Sequence, residues 1–309
     1  GILAQTRQPD EVILVDGGST DHTTDVIRSY EDRLPLRLFI EPGCNISQGR
    51  NKAIREAQGE ILAITDAGVR LPHDWLETIT QPLRDVPSLN VSCGFFAADP
   101  QTVFEVAMGA TVLPLVNEID PLTFLPSSRS IAVRKSAALQ VDGYPEWLDY
   151  CEDLIFDLRL KDTQPPFAFV PDAAVWFRPR RTLSSYFKQY YLYARGDGKA
   201  DLWRKRHALR YLTYLVAAPA LLLGGWLLHP ALWLLLIAGG VVYLRQPYRR
   251  LPEVMARLEQ VSALDWLQAW LLIPLIRLVG DIAKMIGYPV GWGWRWKHHP
   301  PEWRIAAER

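Results

Sequence analysis

Over roughly the first two hundred residues, short apolar runs alternate with longer stretches in which apolar positions recur every three or four residues. The runs predict strands at 12–15, 36–40, 60–65, 90–96 and 167–170. The periodic stretches predict helices at 22–31, 47–57, 73–84, 100–109, 134–140 and 152–160. Val12, Ile13, Leu14 and Val15 are bounded by turn residues and read as a central parallel strand. Strands and helices alternating at this spacing predict an α/β domain, Rossmann-like, with a mostly parallel sheet. The opening "GILAQTRQPDEVILVD" reads as the end of a helix running into a strand. The pattern therefore predicts that a first strand and most of a helix belong ahead of residue 1.

Beyond about residue 205 the pattern changes. Residues 211–228 and 231–244 carry no charge and are separated by His229 and Pro230. As one helix the run would measure about 50 Å, well beyond a bilayer core of about 30 Å. Two helices joined at His229–Pro230 fit better, either crossing a membrane or buried as a soluble hairpin. A third apolar segment, 266–294, carries Arg277, Asp281 and Lys284 at spacings that put them on one helical face. Arg245, Arg249, Arg250 and Arg257 follow the hairpin, and Arg295, Lys297, Arg304 and Arg309 follow the third segment. Basic flanks mark the cytoplasmic side, so a hairpin satisfies the first two segments and the third is expected to be re-entrant or interfacial. The expected division is 1–205 and 206–309.

Composition adds little bias. Among 309 residues, 34 Lys and Arg balance 34 Asp and Glu, so bulk charge points to no nucleic-acid partner. Cys44, Cys93 and Cys151 are far apart and lack metal-ligand spacing, which fits reduced thiols in a cytosolic compartment.

Four stretches carry candidate chemistry. In "EVILVDGGSTDHT", Asp16 ends a strand, Gly17 and Gly18 permit close backbone approach, and Ser19, Thr20 or Asp21 is placed to cap the next helix. Either this is a well-capped turn or it is a nucleotide site at the carboxyl end of a strand. In "EILAITDAGVRLPHDWL", Asp66 ends a second strand, as a turn residue or as a carboxylate that holds a divalent cation. In "YPEWLDYCEDLIFDLRL", Glu152 and Asp153 open a helix, where they stabilise its first turn or serve as a general base. The stretch 178–207 interleaves basic residues with Tyr186, Phe187, Tyr190, Tyr191 and Tyr193, as a solvated helix or a surface for anionic headgroups.

In this order, "VDGGSTDHT", "GRNKAIREAQGEILAITDAG", "GYPEWLDYCEDLIFDLRL" and "QYYLYARGDG" resemble glycosyltransferase family 2, inverting enzymes of the GT-A fold, over residues 1 to about 200. The resemblance implies that Asp16, with Gly17 and Ser19, contacts the nucleotide. It places Arg50 near the nucleotide and Asp66 near ribose and metal, as the first acid of a D-x-D motif. Asp153 matches the catalytic base, with Glu152 beside it. Gln189 and Arg195 match an element that flanks the diphosphate and acceptor, though their spacing departs from the processive-synthase form. Gly68 stands where the second D-x-D acid is usual, which weakens the implied Mg²⁺ or Mn²⁺ dependence. The partners implied are a nucleotide-sugar donor, a lipid-linked or cell-envelope glycan acceptor, and the cytoplasmic membrane, with the catalytic domain facing the cytoplasm. The competing expectation is a membrane-anchored, non-catalytic binder of nucleotide sugars. A dinucleotide-dependent oxidoreductase is disfavoured, because no G-x-G-x-x-G follows a strand.

Overall fold

A computed structural model describes residues 1–304; Arg309 lies outside the described residues. The chain forms two compact units. The first comprises 1–97, 116–177 and the described residues from Pro301, and the second comprises 98–115 and 178–300. The division therefore falls at 177, ahead of the expected 205, and an internal helix joins the second unit.

In the first unit, β1 (Val12–Asp16) pairs in parallel with β2 (Leu36–Ile40), with Asp16 opposite Ile40. A second sheet has the order β3 (Ile61–Ile64), β7 (Ile131–Arg134), β5 (Val91–Cys93), β8 (Ala168–Phe169). A third is formed by β4 (Val69–Arg70), β9 (Val175–Phe177) and β6 (Phe96–Ala98). The expected mostly parallel sheet is mixed instead. β7 lies antiparallel to both β3 and β5, whereas β5 and β8 run parallel. The sequence reading passed over β7 because "IAVR" is four residues long and runs directly into a helix.

The helices of this unit are α1 (Thr23–Arg28), α2 (Ile46–Glu56), α3 (Trp75–Asp85), α5 (Lys135–Gln140) and α6 (Glu152–Thr163). Asn45 caps α2: its side chain accepts from the Gln48 amide while the Gln48 side chain accepts from the Asn45 amide. The apolar core on the α2, α5 and α6 side includes Ile54, Val91, Ile131, Val133, Tyr144, Phe156 and Leu160. Trp75, Ile79 and Leu83 of α3 cover the other side with Ala132 and Val175.

The second unit is helical. It contains α4 (Val103–Val112), α7 (Leu183–Lys199), α8 (Arg204–Tyr211), a π-helical segment (Leu212–Ala217), α9 (Ala218–Leu227), α10 (Leu232–Met255) and α11 (Ala263–His298). α4 is apolar and almost wholly buried, and it packs with α10, α11 and Tyr186 of α7. The turn at His229–Pro230 lies where expected, but both arms run longer than 211–228 and 231–244. The third segment is one unbroken helix packed along α7. Gly198 of α7 and three glycines of α11 permit the contact. A Cβ on Gly280 would lie 2.2 Å from the Tyr186 hydroxyl, one on Gly287 2.2 Å from the Tyr191 carbonyl, and one on Gly291 2.0 Å from the Arg195 carbonyl. Among the described residues, one helix, Arg204–Leu227, is long and apolar enough to cross a membrane by length and composition.

Candidate functional site

The site begins at the end of β1. Asp16 is buried, and its carboxylate is gathered into the following turn. It accepts hydrogen bonds from the amides of Gly18 (2.9 Å) and Ser19 (2.8 Å) and from the Ser19 hydroxyl (2.5 Å). The Ser19 hydroxyl and amide bonds hold this carboxyl below its usual range. Gly18 adopts φ 97° against Pro42, a conformation that a side chain disfavours. Ser19 therefore fixes Asp16 rather than capping α1, whose Thr23 amide donates to Asp21. Gly17 lies against Cys44, and Cys44 lies against Gly49, so this turn adjoins the helix that carries Arg50.

Arg50 is the centre of the arrangement. Its Nη2 donates to Asp66 Oδ1 at 2.6 Å and its Nη1 donates to Glu152 Oε1 at 2.7 Å. Its guanidinium carbon lies 5.1 Å from the centre of the Tyr144 ring. One cation thus ties the end of β3 to the start of α6. Asp153 adjoins it, with its Oδ1 accepting from the Leu154 amide at 2.9 Å. Asp157, one turn further along α6, is wholly buried, and neither carboxyl oxygen accepts a hydrogen bond from the described residues.

Four acids around one guanidinium cannot all ionise freely. Burial, and then the charge of Asp153, push the Glu152 carboxyl up to about 7 against the pull of Arg50. Burial raises Asp157 well above the carboxylate range, with Asp153 adding to the effect. Asp153 is less buried than either. The cluster therefore sets two part-exposed acids, Asp66 and Asp153, beside two buried ones whose carboxyls are held above their usual range.

Packing fixes α6 in this position. Asn51, next to Arg50, donates to the Tyr144 carbonyl (2.8 Å) and to Glu146 (2.9 Å), and accepts from the Tyr144 amide (2.8 Å). A Cβ on Gly143, which has φ 58°, would lie 2.3 Å from Asn51 Oδ1. Asn45 and Ser47 donate to the carbonyls of Glu146 and Leu148. The Tyr144 ring stacks on Phe156 at 4.2 Å, and its hydroxyl meets Ser128 at 2.9 Å. Sequence reasoning missed Asn51, Tyr144 and Asp157. The adjacent "RN" and the "GY" preceding "ED" were the available signals.

The structure thus joins Arg50, Asp66 and Glu152 directly, sets Asp153 beside them, and holds Asp16, Gly17 and Ser19 in the neighbouring turn. Gln189 and Arg195 belong to the second unit, on α7. There Gln189 donates to the Tyr193 hydroxyl at 2.8 Å and accepts from Arg180 at 3.3 Å. As for metal, no group of three His, Cys, Asp or Glu among the described residues is placed to hold an ion. Gly68 offers no ligand, and Asp66 is the acid that remains of the motif. A hard divalent cation that takes most of its oxygens from a diphosphate and water needs one or two protein carboxylates, and Asp66 meets that lesser demand.

Residues 1–138 match the family model described as glycosyl transferase family 2. Validoxylamine A glucosyltransferase of Streptomyces hygroscopicus is 39% identical over 84 residues, which are 26% of this chain and 18% of that protein, so the shared stretch spans under a fifth of that relative. The succinoglycan biosynthesis protein ExoA of Rhizobium meliloti is 26% identical over 245 residues, 74% of this chain and 72% of that one. Among solved structures, a mannosyltransferase of Pyrobaculum calidifontis, in complex with GDP-mannose and Mn²⁺, superposes with a TM-score of 0.60 at 19% identity, over 92% of this chain and 81% of that chain. That similarity speaks for the GT-A fold.

Proposed function

We propose, from the match of residues 1–138 to the glycosyl transferase family 2 model, that the chain moves a sugar from a nucleoside-diphosphate donor to a hydroxyl of a lipid-linked or cell-envelope glycan acceptor, with inversion at the anomeric carbon. The observation that carries this reading is the single Arg50 guanidinium tying Asp66 to Glu152 beside Asp153. Three distant segments thereby supply one acidic cluster adjoining the Asp16 turn.

In this reading Asp153 is the general base. Glu152 is committed to Arg50 and its carboxyl is raised to about 7, whereas Asp153 is less buried. Asp153 takes the proton of the acceptor hydroxyl, and that oxygen forms a bond to the anomeric carbon as the bond to the diphosphate breaks on the opposite face. Asp16 and Ser19 orient the nucleotide, and Arg50 lends positive charge beside the departing diphosphate. Asp66 would hold Mg²⁺ or Mn²⁺, whose chemistry is to neutralise charge on the diphosphate. The GDP-mannose and Mn²⁺ in the Pyrobaculum mannosyltransferase support the donor class and the cation by analogy of fold. For Gln189 and Arg195 the family resemblance is the support.

The exposed apolar surface of Arg204–Leu227 and of the first half of α10 supports anchorage in the cytoplasmic membrane. Trp226, Leu228 and Val242 are each at least three-quarters exposed, which is unfavourable in water. The basic residues at the base of both arms support a cytoplasmic position for the first unit.

The absence of an acid at position 68 is the one feature that favours a non-catalytic binder. Asp153→Asn separates the two readings. In an enzyme it abolishes sugar transfer while leaving nucleotide-sugar affinity within a few-fold. If wild type binds but transfers nothing to any envelope acceptor, the binder is correct.

A further inference from the structure

The second unit contains a polar cluster that the transfer reaction leaves unused. It lies among helices whose outer faces are apolar. Arg210 of α8 donates to Asp281 Oδ1 of α11 at 2.7 Å. Tyr214 donates to Asp281 Oδ2 at 3.1 Å, and Tyr243 of α10 donates to the same oxygen. The two tyrosine hydroxyls lie 2.9 Å apart. Lys284, one turn along α11, is 3.9 Å from Asp281 Oδ1 and lies over the Tyr190 ring at 4.8 Å. Arg277, one turn the other way, lies over the Tyr243 ring at 4.6 Å, and no carboxylate within ion-pair distance faces it among the described residues.

The charges do not balance. Arg210, Arg277 and Lys284 converge on Asp281, whose oxygens are already taken by Arg210 and two hydroxyls. The neighbouring carboxylate of Asp197 is engaged by His207 at 3.2 Å. Even with Asp197 included, three cations and an imidazole face two acids. Cations gathered in an apolar helical setting are costly unless an anion answers them.

The place of the cluster in the unit says which anion. Arg210 and Tyr214 sit at the basic end of the Arg204–Leu227 helix, after Arg204, Lys205 and Arg206. Tyr243 sits at the matching end of the apolar part of α10, just ahead of Arg245. The hairpin tip at His229–Pro230 is 15 residues beyond Tyr214 and 13 before Tyr243, or about 20 Å along either arm. With the arms in a bilayer, the cluster therefore lies at headgroup depth on the basic side, where lipid phosphates lie.

We propose that Arg277 and Lys284 form a binding site for the phosphate of a membrane lipid, with Arg210 and Asp281 holding the site open and the lipid chain lying along the exposed arms. This rests on the membrane part of the proposed function and not on sugar transfer. The same site would suit the phosphate of a lipid-linked acceptor.

The test uses the full chain in detergent and calorimetric titration with farnesyl phosphate, farnesol and inorganic phosphate. The site predicts saturable binding of farnesyl phosphate, at least tenfold weaker binding of inorganic phosphate and none of farnesol. Arg277→Gln and Lys284→Gln should each weaken farnesyl phosphate at least tenfold, while Arg277→Lys stays within about threefold. Nucleotide-sugar affinity, measured on the same samples, serves as the folding control and as an independent reading of the first unit. Farnesol or inorganic phosphate binding as well as farnesyl phosphate would overturn the proposal. So would folded glutamine variants that bind farnesyl phosphate as wild type does.

Discussion

At the scale of single residues, Arg50 satisfies two largely buried acids from distant segments at once, Asp66 and Glu152. Removing it leaves Asp66 and Glu152 buried or half-buried without their cation. Arg50→Met should therefore cost about 3–5 kcal/mol in thermal or denaturant unfolding of the first unit. Arg50→Lys should recover only part, because an ammonium cannot reproduce two divergent bonds. Glu152 supplies a prediction in pH. Its folded carboxyl titrates near 7, above its unfolded value of 4.5, so the fold holds its proton more tightly. Its contribution to stability is present below about pH 4.5 and is lost as pH rises through 7. Glu152→Gln should flatten the melting-temperature profile between those limits, and an unchanged slope would contradict the assignment. Asp157→Asn should likewise remove a loss of stability on the alkaline side, since a neutral side chain replaces an acid that burial disfavours ionising.

At the scale of elements, α7 and α11 pack so closely that their glycines are structural. Gly291→Val places side-chain carbon where the Arg195 carbonyl now lies, and should destabilise the second unit by about 1–3 kcal/mol in detergent melts. Gly293, which has open space around it, should accept Val at less than about 1 kcal/mol. Elements were also the scale at which the sequence was most and least legible. The runs at Val12–Val15 and Ile61–Ile64 announced strands because apolar β-branched residues stand between turn signals. The Glu152–Asp153 helix start was equally plain. The two- to four-residue strands β4, β7 and β9 were not, since so few residues carry no period. β7 reverses direction between β3 and β5, and pairing direction has no local signature. The candidate acids were readable one by one from their turns. The bridge by Arg50 was not, because it depends on Asn51 and Gly143 seating α6 against α2. Likewise the unbroken course of α11 goes with its close packing along α7 at Gly280, Gly287 and Gly291, which the segment's own pattern does not reveal.

At the scale of the whole molecule, an α/β unit with residues that match the glycosyl transferase family 2 model is joined in one chain to a helical unit with an exposed apolar hairpin. Membrane attachment through that hairpin predicts that Leu222→Lys with Leu234→Lys shifts the chain from the membrane fraction to the soluble or aggregated fraction. At about 2.5–3.5 kcal/mol per central lysine, the pair costs enough to change partitioning measured after alkaline washing. The central claim is that the Arg50-centred cluster of the first unit is a sugar-transfer site with Asp153 as its base, and a paired measurement tests it most directly. Nucleotide-sugar binding and transfer to membrane-derived acceptor are measured on the same preparations of wild type and Asp153→Asn. The account predicts unchanged binding within a few-fold and transfer reduced by about 10²–10⁴-fold. Transfer by Asp153→Asn at the wild-type rate would contradict it.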